Sequence, residues 1–255
     1  MKELIIETVP YYDDNFSYLI HDDQAHLTAL VDCGEIDPVL ERLEKNKWGL
    51  DYILITHSHF DHAGEIENMK KHFPDAVVVK PDGEKRLPAA GLNVKEGDTV
   101  TFGQREIEVV SLPAHTMFCT AYHIDGNLFV GDAFFSAGCG RLFEGQPADL
   151  ERAMDKIASF SDRTKIYFGH EYTQANIRFA RTIDPGNMDL ASYQKSVDRL
   201  IGSGRFSTPT TLELEKRINP FLRIDRPAVA AVVDPGNERG RTERMGVLRM
   251  MKDNF

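Results

Sequence analysis

Hydrophobic and polar positions divide the chain into a mixed first part and a helical last part. Up to about residue 170, short apolar runs rich in β-branched or aromatic residues alternate with turn residues, the usual pattern of β-strands. These predicted strands are LTALVDCG, DYILITH, DAVVVKPDG, REIEVVSLPAH, NLFVGD and KIYFGH. Amphipathic stretches between some of them predict helices: DPVLERLEKNKW, EIENMKKHF and PADLERAMDKIASF. Strands and helices mixed in this way predict an α/β layered domain.

The part of the chain after residue 173 carries almost no strand signal. Three stretches there have helical periodicity: NMDLASYQKSVDRLIGSG, STPTTLELEKRINPFL and TERMGVLRMMKDNF. The second is expected to begin at Pro209, with Thr208 as its N-cap. We therefore predict two domains, residues 1–172 and residues 173–255, of which the second is small and mainly helical.

Composition and charge restrict the class of partner. The 255 residues are 42% hydrophobic and carry a formal net charge of −10, so a core can form, while nucleic acid and anionic membranes would repel the chain. No apolar run reaches the roughly 18–20 residues of a membrane span, and the N-terminus lacks the features of a signal peptide. Three widely spaced cysteines predict reduced thiols. We expect a cytoplasmic monomer that acts on a small molecule.

Four potential metal ligands lie within six positions of one short stretch, THSHFDH at residues 56–62. Side chains two apart in extended backbone point the same way, so His57 and His59 can converge on one point. Asp61 and His62 are adjacent and diverge from that pair. Four ligands on so short a loop suit two neighbouring ions, and imidazole with carboxylate suits zinc, iron or manganese.

Three further candidate ligands follow apolar runs elsewhere in the chain. His115 follows EVVSLP, Asp132 follows NLFVG and His170 follows KIYFG. Each lies at the carboxyl end of a predicted strand, where the loops of sheet-based enzymes carry functional residues.

With these positions in place, THSHFDH resembles the T-H-x-H-x-D-H signature of the metallo-β-lactamase superfamily, whose fold is an αββα sandwich. The resemblance implies two metal ions. One would be held by His57, His59 and His115, the other by Asp61, His62 and His170, with Asp132 bridging both. Asp32 in LVDCG matches an aspartate expected to support the ligands from behind; an ordinary turn residue is the alternative.

Three more stretches are similar to glyoxalase II, a family of thioesterases: GDAFFSAGCGRLFEG, GHEYT and NPFLR. The resemblance runs from DDNFSYLI to the end of the chain and includes the helical C-terminal domain. It implies a binuclear-metal hydrolase that converts S-D-lactoylglutathione to glutathione and D-lactate in methylglyoxal detoxification. Zinc is the expected metal, with iron or manganese as alternatives. A metal-activated hydroxide would be the nucleophile, with Asp61 and Asp132 as catalytic residues.

The same resemblance implies contacts with the glutathione part of the substrate. Their positions are Arg141, Phe143, Tyr172, Arg249 and Lys252. Arg249 and Lys252 are three apart in a predicted helix and therefore share a face. Cys139, between two glycines, is interpreted as a thiol in a tight turn rather than as a nucleophile.

The chain departs from the family pattern at one place, and three alternative functions remain open. The family segment H-T-x-G-H is AHTMFCT here, with Phe118 and Cys119 replacing glycine and histidine. A glutathione-persulfide dioxygenase of the same fold would use a single iron. A β-lactamase is disfavoured by the expected absence of an export signal. A structural metal site is disfavoured because such sites are usually rich in cysteine.

Overall fold

The computed structural model describes residues 2–255 and divides the chain into two compact units. The first unit comprises the chain up to Ser111 together with Phe118–Gly131, and the second comprises Leu112–Met117 and Asp132–Phe255. The prediction of folding domains at residues 1–172 and 173–255 stays a prediction.

The first unit contains two sheets. One has six strands in sequence order: β1 (Ile5–Tyr11), β2 (Asn15–Asp22), β3 (Leu27–Val31), β4 (Tyr52–Leu54), β5 (Val77–Pro81) and β6 (Leu92–Val94). The first three strands pair antiparallel, and β3 to β6 pair parallel. The other sheet is an antiparallel meander of β7 (Thr99–Phe102), β8 (Arg105–Ser111), β9 (Thr120–Ile124) and β10 (Asn127–Gly131).

The two sheets of this unit pack face to face. The buried Tyr122 of β9 donates its hydroxyl to the carbonyl of Ile55 at 2.8 Å. The rings of Tyr18 and Phe129 meet with their centroids 5.5 Å apart. Because successive strand side chains alternate between faces, these apolar faces form a core between the sheets.

Helices α1 (Asp37–Asn46), α2 (Phe60–Ala63) and α3 (Ile66–His72) also belong to the first unit. Val39 and Leu43 of α1 and Ile66 and Met69 of α3 are buried in one apolar cluster with strand residues such as Ile53. The spacing of these residues places them on one face of each helix, as the amphipathic pattern predicts. Helix, sheet and sheet therefore form successive layers in this unit.

The second unit is mainly helical. Its elements are α4 (Pro147–Ala158), β11 (Lys165–Phe168), α5 (Thr173–Ile183), α6 (Met188–Gly202), β12 (Thr210–Thr211), α7 (Leu212–Ile218), α8 (Pro227–Val233) and α9 (Arg241–Asp253). Strands β11 and β12 pair antiparallel. Residues of α5, α6 and α7 share an apolar cluster that includes Ile177, Leu190 and Ile218.

All six predicted strands form, and one helix begins later than predicted. The stretch expected to start a helix at Pro209 instead places Thr210 and Thr211 in β12, so α7 begins at Leu212 with Thr211 as its N-cap. The prediction of Thr208 as the cap is therefore wrong. Backbone pairing with Lys165 and Ile166 in β11 fixes these residues as extended, which local sequence preference alone does not reveal.

Among the described residues, no helix combines the length and the apolar character that a membrane crossing requires.

A buried histidine links pH to the stability of the first unit. The ring of His21 is stacked on that of Trp48, with centroids 4.2 Å apart, and its Nδ1 lies 3.0 Å from the hydroxyl of Thr28. Burial lowers the pKa of His21, and the nearby carboxylates of Asp22 and Asp23 only partly oppose that shift. The unfolded chain therefore binds this proton more readily than the folded chain does.

We expect the free energy of unfolding to fall as the pH drops below about 6.5, the ordinary histidine value. As the pH falls, the contribution of His21 to the free energy of unfolding decreases by at most about 1.4 kcal/mol per pH unit. The contribution is fully lost once the pH is below the lowered pKa that His21 has in the folded protein. Urea unfolding followed by fluorescence of Trp48, the only tryptophan, measures it. In His21→Phe this contribution should vanish, and an identical pH dependence in both proteins would contradict the prediction.

Candidate metal centre and substrate-binding residues

The predicted ligands of the THSHFDH stretch lie together in the first unit. The Nε2 atom of His57 is 3.1 Å from Nδ1 of His59, and the rings of His57 and His62 lie with centroids 4.3 Å apart. An oxygen of Asp61 is 3.6 Å from Nε2 of His62. His57 and His62 are completely buried. The stretch lies between β4, which ends at Leu54, and α2, which begins at Phe60, and His59 directly before α2 has extended backbone.

Two side chains from the first strands fix Asp61. The hydroxyl of Tyr11 donates to the Asp61 carbonyl at 2.6 Å, and the Asn15 amide donates to the Asp61 carboxylate at 2.9 Å. Gly34 passes so close that a Cβ atom there would lie 1.9 Å from the carbonyl oxygen of Asp61. Only glycine permits this approach. The loop after β3 therefore locks the backbone of a predicted ligand.

Asp32 lies behind the ligands, as its predicted supporting role requires. Its carboxylate accepts hydrogen bonds from the backbone N–H and the hydroxyl of Thr56, both at 2.8 Å, and from Nδ1 of His62 at 2.8 Å. Because the carboxylate accepts the proton on Nδ1, the lone pair of the His62 ring lies on Nε2, the atom that would bind a metal. Asp32 has a φ of 60°, a left-handed conformation that aspartate tolerates better than most residues.

The remaining predicted ligands lie together in the second unit. One oxygen of Asp132 is 3.6 Å from Nε2 of His115 and 3.3 Å from Nε2 of His170. All three residues are buried. Nδ1 of His115 donates to the carbonyl of Arg141 at 2.8 Å, since a carbonyl can only accept. This bond leaves Nε2 of His115 facing Asp132.

Three of the predicted substrate contacts lie beside these ligands. The Phe143 ring meets His115 edge-on with centroids 5.2 Å apart, and the Tyr172 ring stacks on His170 at 4.7 Å. The guanidinium of Arg141 lies 5.9 Å from the centre of the Phe143 ring. Phe143 and Tyr172 are exposed, as is Arg141. Exposed aromatic rings next to ligand residues are suited to contact a bound molecule.

Arg249 and Lys252 of α9 differ in their surroundings. Arg249 is only 5% exposed; it donates to the carbonyl of Cys139 at 2.8 Å and pairs with Asp253 at 2.9 Å. Lys252 is half-buried, with its ammonium 5.3 Å from the Phe179 ring centre. Burial and the nearby positive charge of Arg249 lower the pKa of Lys252. In the structure, Arg249 thus contacts Cys139 and Asp253 of the protein itself. Its contact with the substrate stays a prediction.

Two residues singled out in the sequence have packing roles. Cys139 is buried, and burial raises its pKa to about 11, so its thiol is protonated at neutral pH, as expected for a turn thiol rather than a nucleophile. Phe118 occupies the place of the family glycine, and its ring lies close to Gly83, where a Cβ would be 3.2 Å from it. The departure from the family pattern is thus accommodated by a glycine in a neighbouring turn.

The donor atoms fit divalent transition metals. Two ligands that each lie about 2.0–2.1 Å from a tetrahedral zinc ion are roughly 3.3 Å apart. The separations within the two units, from 3.1 to 3.6 Å, have this size. Imidazole nitrogens and carboxylate oxygens are the donor set of zinc, iron and manganese sites. These histidines and aspartates therefore supply donor atoms suited to a divalent metal ion.

Apart from Asp32, sequence reasoning missed the residues that hold the THSHFDH stretch in place. Tyr11 and Asn15 fix Asp61 from strands distant in sequence. The hydroxyl of Ser58 donates to the buried carboxylate of Glu84 at 2.9 Å. Only Asn15 had any signal, as part of the family-like segment DDNFSYLI. The others depend on contacts between residues far apart in the chain.

Two family models together match residues 12–255 of the chain. The model of the metallo-beta-lactamase superfamily matches residues 12–170, and the model of the hydroxyacylglutathione hydrolase C-terminus matches residues 171–255. A protein of Photobacterium profundum named hydroxyacylglutathione hydrolase is 42% identical over 99% of this chain and 100% of its own length. One of Maricaulis maris with the same name is 40% identical over the full length of both.

Solved structures share the fold at lower identity. The crystal structure of ETHE1 from Myxococcus xanthus has a TM-score of 0.69 and 23% identity, covering 96% of this chain and 89% of its own. A metallo-beta-lactamase from Staphylococcus aureus has a TM-score of 0.66 and 17% identity, covering 98% of this chain and 71% of its own. At such identities the likeness concerns the fold alone.

The fold and the histidine–aspartate clusters define an α/β metalloenzyme of the metallo-β-lactamase type with a helical C-terminal region, as predicted. Such an enzyme binds divalent metal through these clusters. The two family models and the full-length relatives narrow the class further. The chain belongs to the hydroxyacylglutathione hydrolase family, also called glyoxalase II.

Proposed function

We propose that the chain is a thioesterase that hydrolyses S-D-lactoylglutathione to glutathione and D-lactate, the reaction of methylglyoxal detoxification. The observation that carries this function is full-length similarity at about 40% identity to proteins named hydroxyacylglutathione hydrolase. The match includes the C-terminal family model, at residues 171–255. The alternative, a glutathione-persulfide dioxygenase of the same fold, would use a single iron and consume oxygen.

We further propose that the two ligand clusters serve one binuclear centre, with zinc as the expected metal and iron or manganese as alternatives. His57, His59 and His115 would hold one ion, Asp61, His62 and His170 the other, and Asp132 both. When bound, such ions polarise a carbonyl group and supply a water molecule of lowered pKa. The buried imidazoles and the hydrogen bonds behind His62 and His115 support this assignment.

The protein side chains would bind and orient the thioester. Phe143 and Tyr172 offer exposed rings beside His115 and His170, and Arg141 and Lys252 offer positive charge to the carboxylates of glutathione. The leaving thiolate has a conjugate-acid pKa of roughly 8.5, so it departs without a dedicated general acid. We also propose a cytoplasmic location and a monomeric state; the three buried thiols support a reducing compartment.

The metal and the substrate class are tested together. Metal-free protein reloaded with zinc alone should release free thiol from S-D-lactoylglutathione, in air and under anaerobic conditions alike, because hydrolysis needs no redox change. A chromogenic cephalosporin serves as the control substrate and should not be cleaved. Oxygen uptake with glutathione persulfide, together with no thioester cleavage under any metal loading, would overturn the proposal in favour of the dioxygenase.

The positive charge of Lys252 should matter for substrate binding. We expect Lys252→Met to raise KM for glutathione thioesters by about 10-fold or more, the loss expected for a hydrogen bond to a charged group. The kcat should change little, since this contact is present in both ground and transition states. Because the pKa of Lys252 is lowered, KM of the natural protein should begin to rise below the usual lysine range as pH increases.

The matched control is Lys195→Met, which removes an exposed lysine from α6 of the same unit. Steady-state kinetics across pH measure both variants. An unchanged KM in Lys252→Met would remove this residue from the glutathione site.

A further inference from the structure

The loop formed by residues 133–140, AFFSAGCG, connects Asp132 to Arg141 and is buried over its whole length. At its centre Ala137 has a φ of 55°, in the left-handed region that a residue with a Cβ rarely adopts. Such a conformation persists only where the surrounding structure holds it in place. Groups outside the loop must therefore hold it in this conformation.

Side chains from helices α5, α7 and α9 form hydrogen bonds with the backbone of the loop at successive positions. Asn176 of α5 donates to the carbonyl of Ser136 at 3.1 Å. Asn219, which caps the end of α7, donates to the carbonyls of Phe135 and Gly138 at 3.2 and 3.0 Å. The carboxylate of Glu215 in α7 accepts from the backbone N–H of Ala137 at 2.9 Å. Arg249 binds the carbonyl of Cys139.

Glu215 is the centre of this arrangement. It is completely buried, and burial raises its pKa. One oxygen accepts from the hydroxyls of Ser136 and Thr210 at 2.6 and 2.8 Å, and the other accepts from Ala137 N–H and the Asn219 amide at 2.9 and 3.1 Å. A buried carboxylate is tolerated only when its oxygens are hydrogen-bonded in this way. Through this carboxylate, Ser136 and Ala137 of the loop are tied to Thr210 and Asn219 outside it.

Both ends of the loop reach predicted metal ligands. The loop begins directly after Asp132, and the carbonyl of Arg141 at its far end accepts the hydrogen bond that orients His115. Gly140 lies so close to Asp132 that a Cβ there would be 2.0 Å from its carbonyl oxygen and 3.1 Å from Nδ1 of His115. A shift of the loop would therefore displace both ligands.

We propose that Glu215 and Asn219 are positioning residues for the metal centre, acting through this loop on Asp132 and His115. Helix α7 would then set the geometry of two metal ligands that precede it in the chain, in addition to the role of the C-terminal helices in binding glutathione. The inference rests on the proposed function in one respect, since it takes Asp132 and His115 as ligands.

Glu215→Gln tests the proposal at nearly constant size. If the glutamine oxygen faces Ser136 and Thr210, its NH₂ group meets two donors, the Ala137 N–H and the Asn219 amide. If the amide is reversed, both hydroxyls must turn to accept, and in either orientation the negative charge that strengthens these hydrogen bonds is lost. We expect zinc affinity to fall about 10- to 100-fold, the usual effect of altering a group behind a metal ligand. The kcat at limiting zinc should fall with it, while KM for the thioester changes by less than about twofold.

Asn187→Ala is the matched control. Asn187 caps α6 by accepting from the Leu190 N–H and donates to the Arg217 carbonyl, all within the same unit and away from the loop. Losing the cap lowers stability by about 1 kcal/mol and should leave zinc affinity unchanged. Zinc per chain, competition with a chelator and urea unfolding of the metal-free proteins are measured for both variants. Asn219→Ala provides the same test if Glu215→Gln does not fold.

Wild-type zinc affinity in Glu215→Gln and Asn219→Ala would overturn the inference. An equal loss of zinc in Asn187→Ala at matched stability would overturn it too, because general loosening would then explain the effect. Neither of these two outcomes affects the proposed function, provided that the wild-type protein binds zinc and hydrolyses the thioester. Failure of the wild-type protein to bind any divalent metal would instead overturn the proposed function, and this inference with it.

Discussion

Asp132→Ala is expected to lose at least one metal ion per chain and to lower kcat by more than about 100-fold, a larger effect than removal of a group behind a ligand. One Asp132 oxygen lies 3.3 Å from Nε2 of His170 and 3.6 Å from Nε2 of His115. A bridging carboxylate would place negative charge between two cations, so its loss removes a shared ligand and leaves their repulsion uncompensated.

Metal analysis by mass spectrometry and thioester hydrolysis measure this result. Asp162→Ala is the control, because it removes an exposed aspartate of the same unit that forms an ion pair with the surface residue Lys216. It should retain the metal content and activity of the natural protein. Two metals and normal turnover in Asp132→Ala would show that the binuclear assignment is wrong.

Asp32→Asn should weaken metal binding about 10- to 100-fold without contacting a metal itself. Three donors converge on the Asp32 carboxylate: the N–H and hydroxyl of Thr56 and Nδ1 of His62. One carboxylate oxygen accepts from the Thr56 N–H, and the other accepts from both the Thr56 hydroxyl and Nδ1 of His62. The NH₂ group of asparagine therefore faces either the Thr56 N–H or the other two groups together. In the second orientation the proton of His62 moves to Nε2 and blocks the ligand atom.

The same substitution should lower the free energy of unfolding by about 1–3 kcal/mol, since a buried donor loses its acceptor. Asparagine keeps the left-handed backbone of residue 32 without added strain. Asp51→Asn is the control: this carboxylate accepts from the Thr28 N–H at 2.8 Å in the same unit and lies outside the ligand cluster. Chelator competition should separate the two variants, and equal zinc affinities would refute the role of Asp32.

Much of the site could be predicted because metal chemistry limits the residue types involved. His57 and His59 have a spacing that aligns their side chains in extended backbone, and the structure places their nitrogens 3.1 Å apart. Asp132 follows an apolar strand directly, as the sequence suggests. The surroundings of the predicted substrate contacts could not be read from the sequence: Arg249 was expected on a shared helix face with Lys252, and only the structure shows that it is buried against Cys139.

The sequence by itself determined three features of this protein: its α/β pattern, its seven candidate metal ligands and its family resemblance. These features are local, since they depend on residue type and on spacing over a few positions. Only the tertiary structure shows which hydrogen bonds hold the candidate ligands in place. Asp32, whose supporting role the family resemblance implied, bonds to His62 across 30 residues, and Glu215 bonds to Ala137 across 78. No local pattern encodes such contacts, because they exist only when packing brings distant strands and helices together.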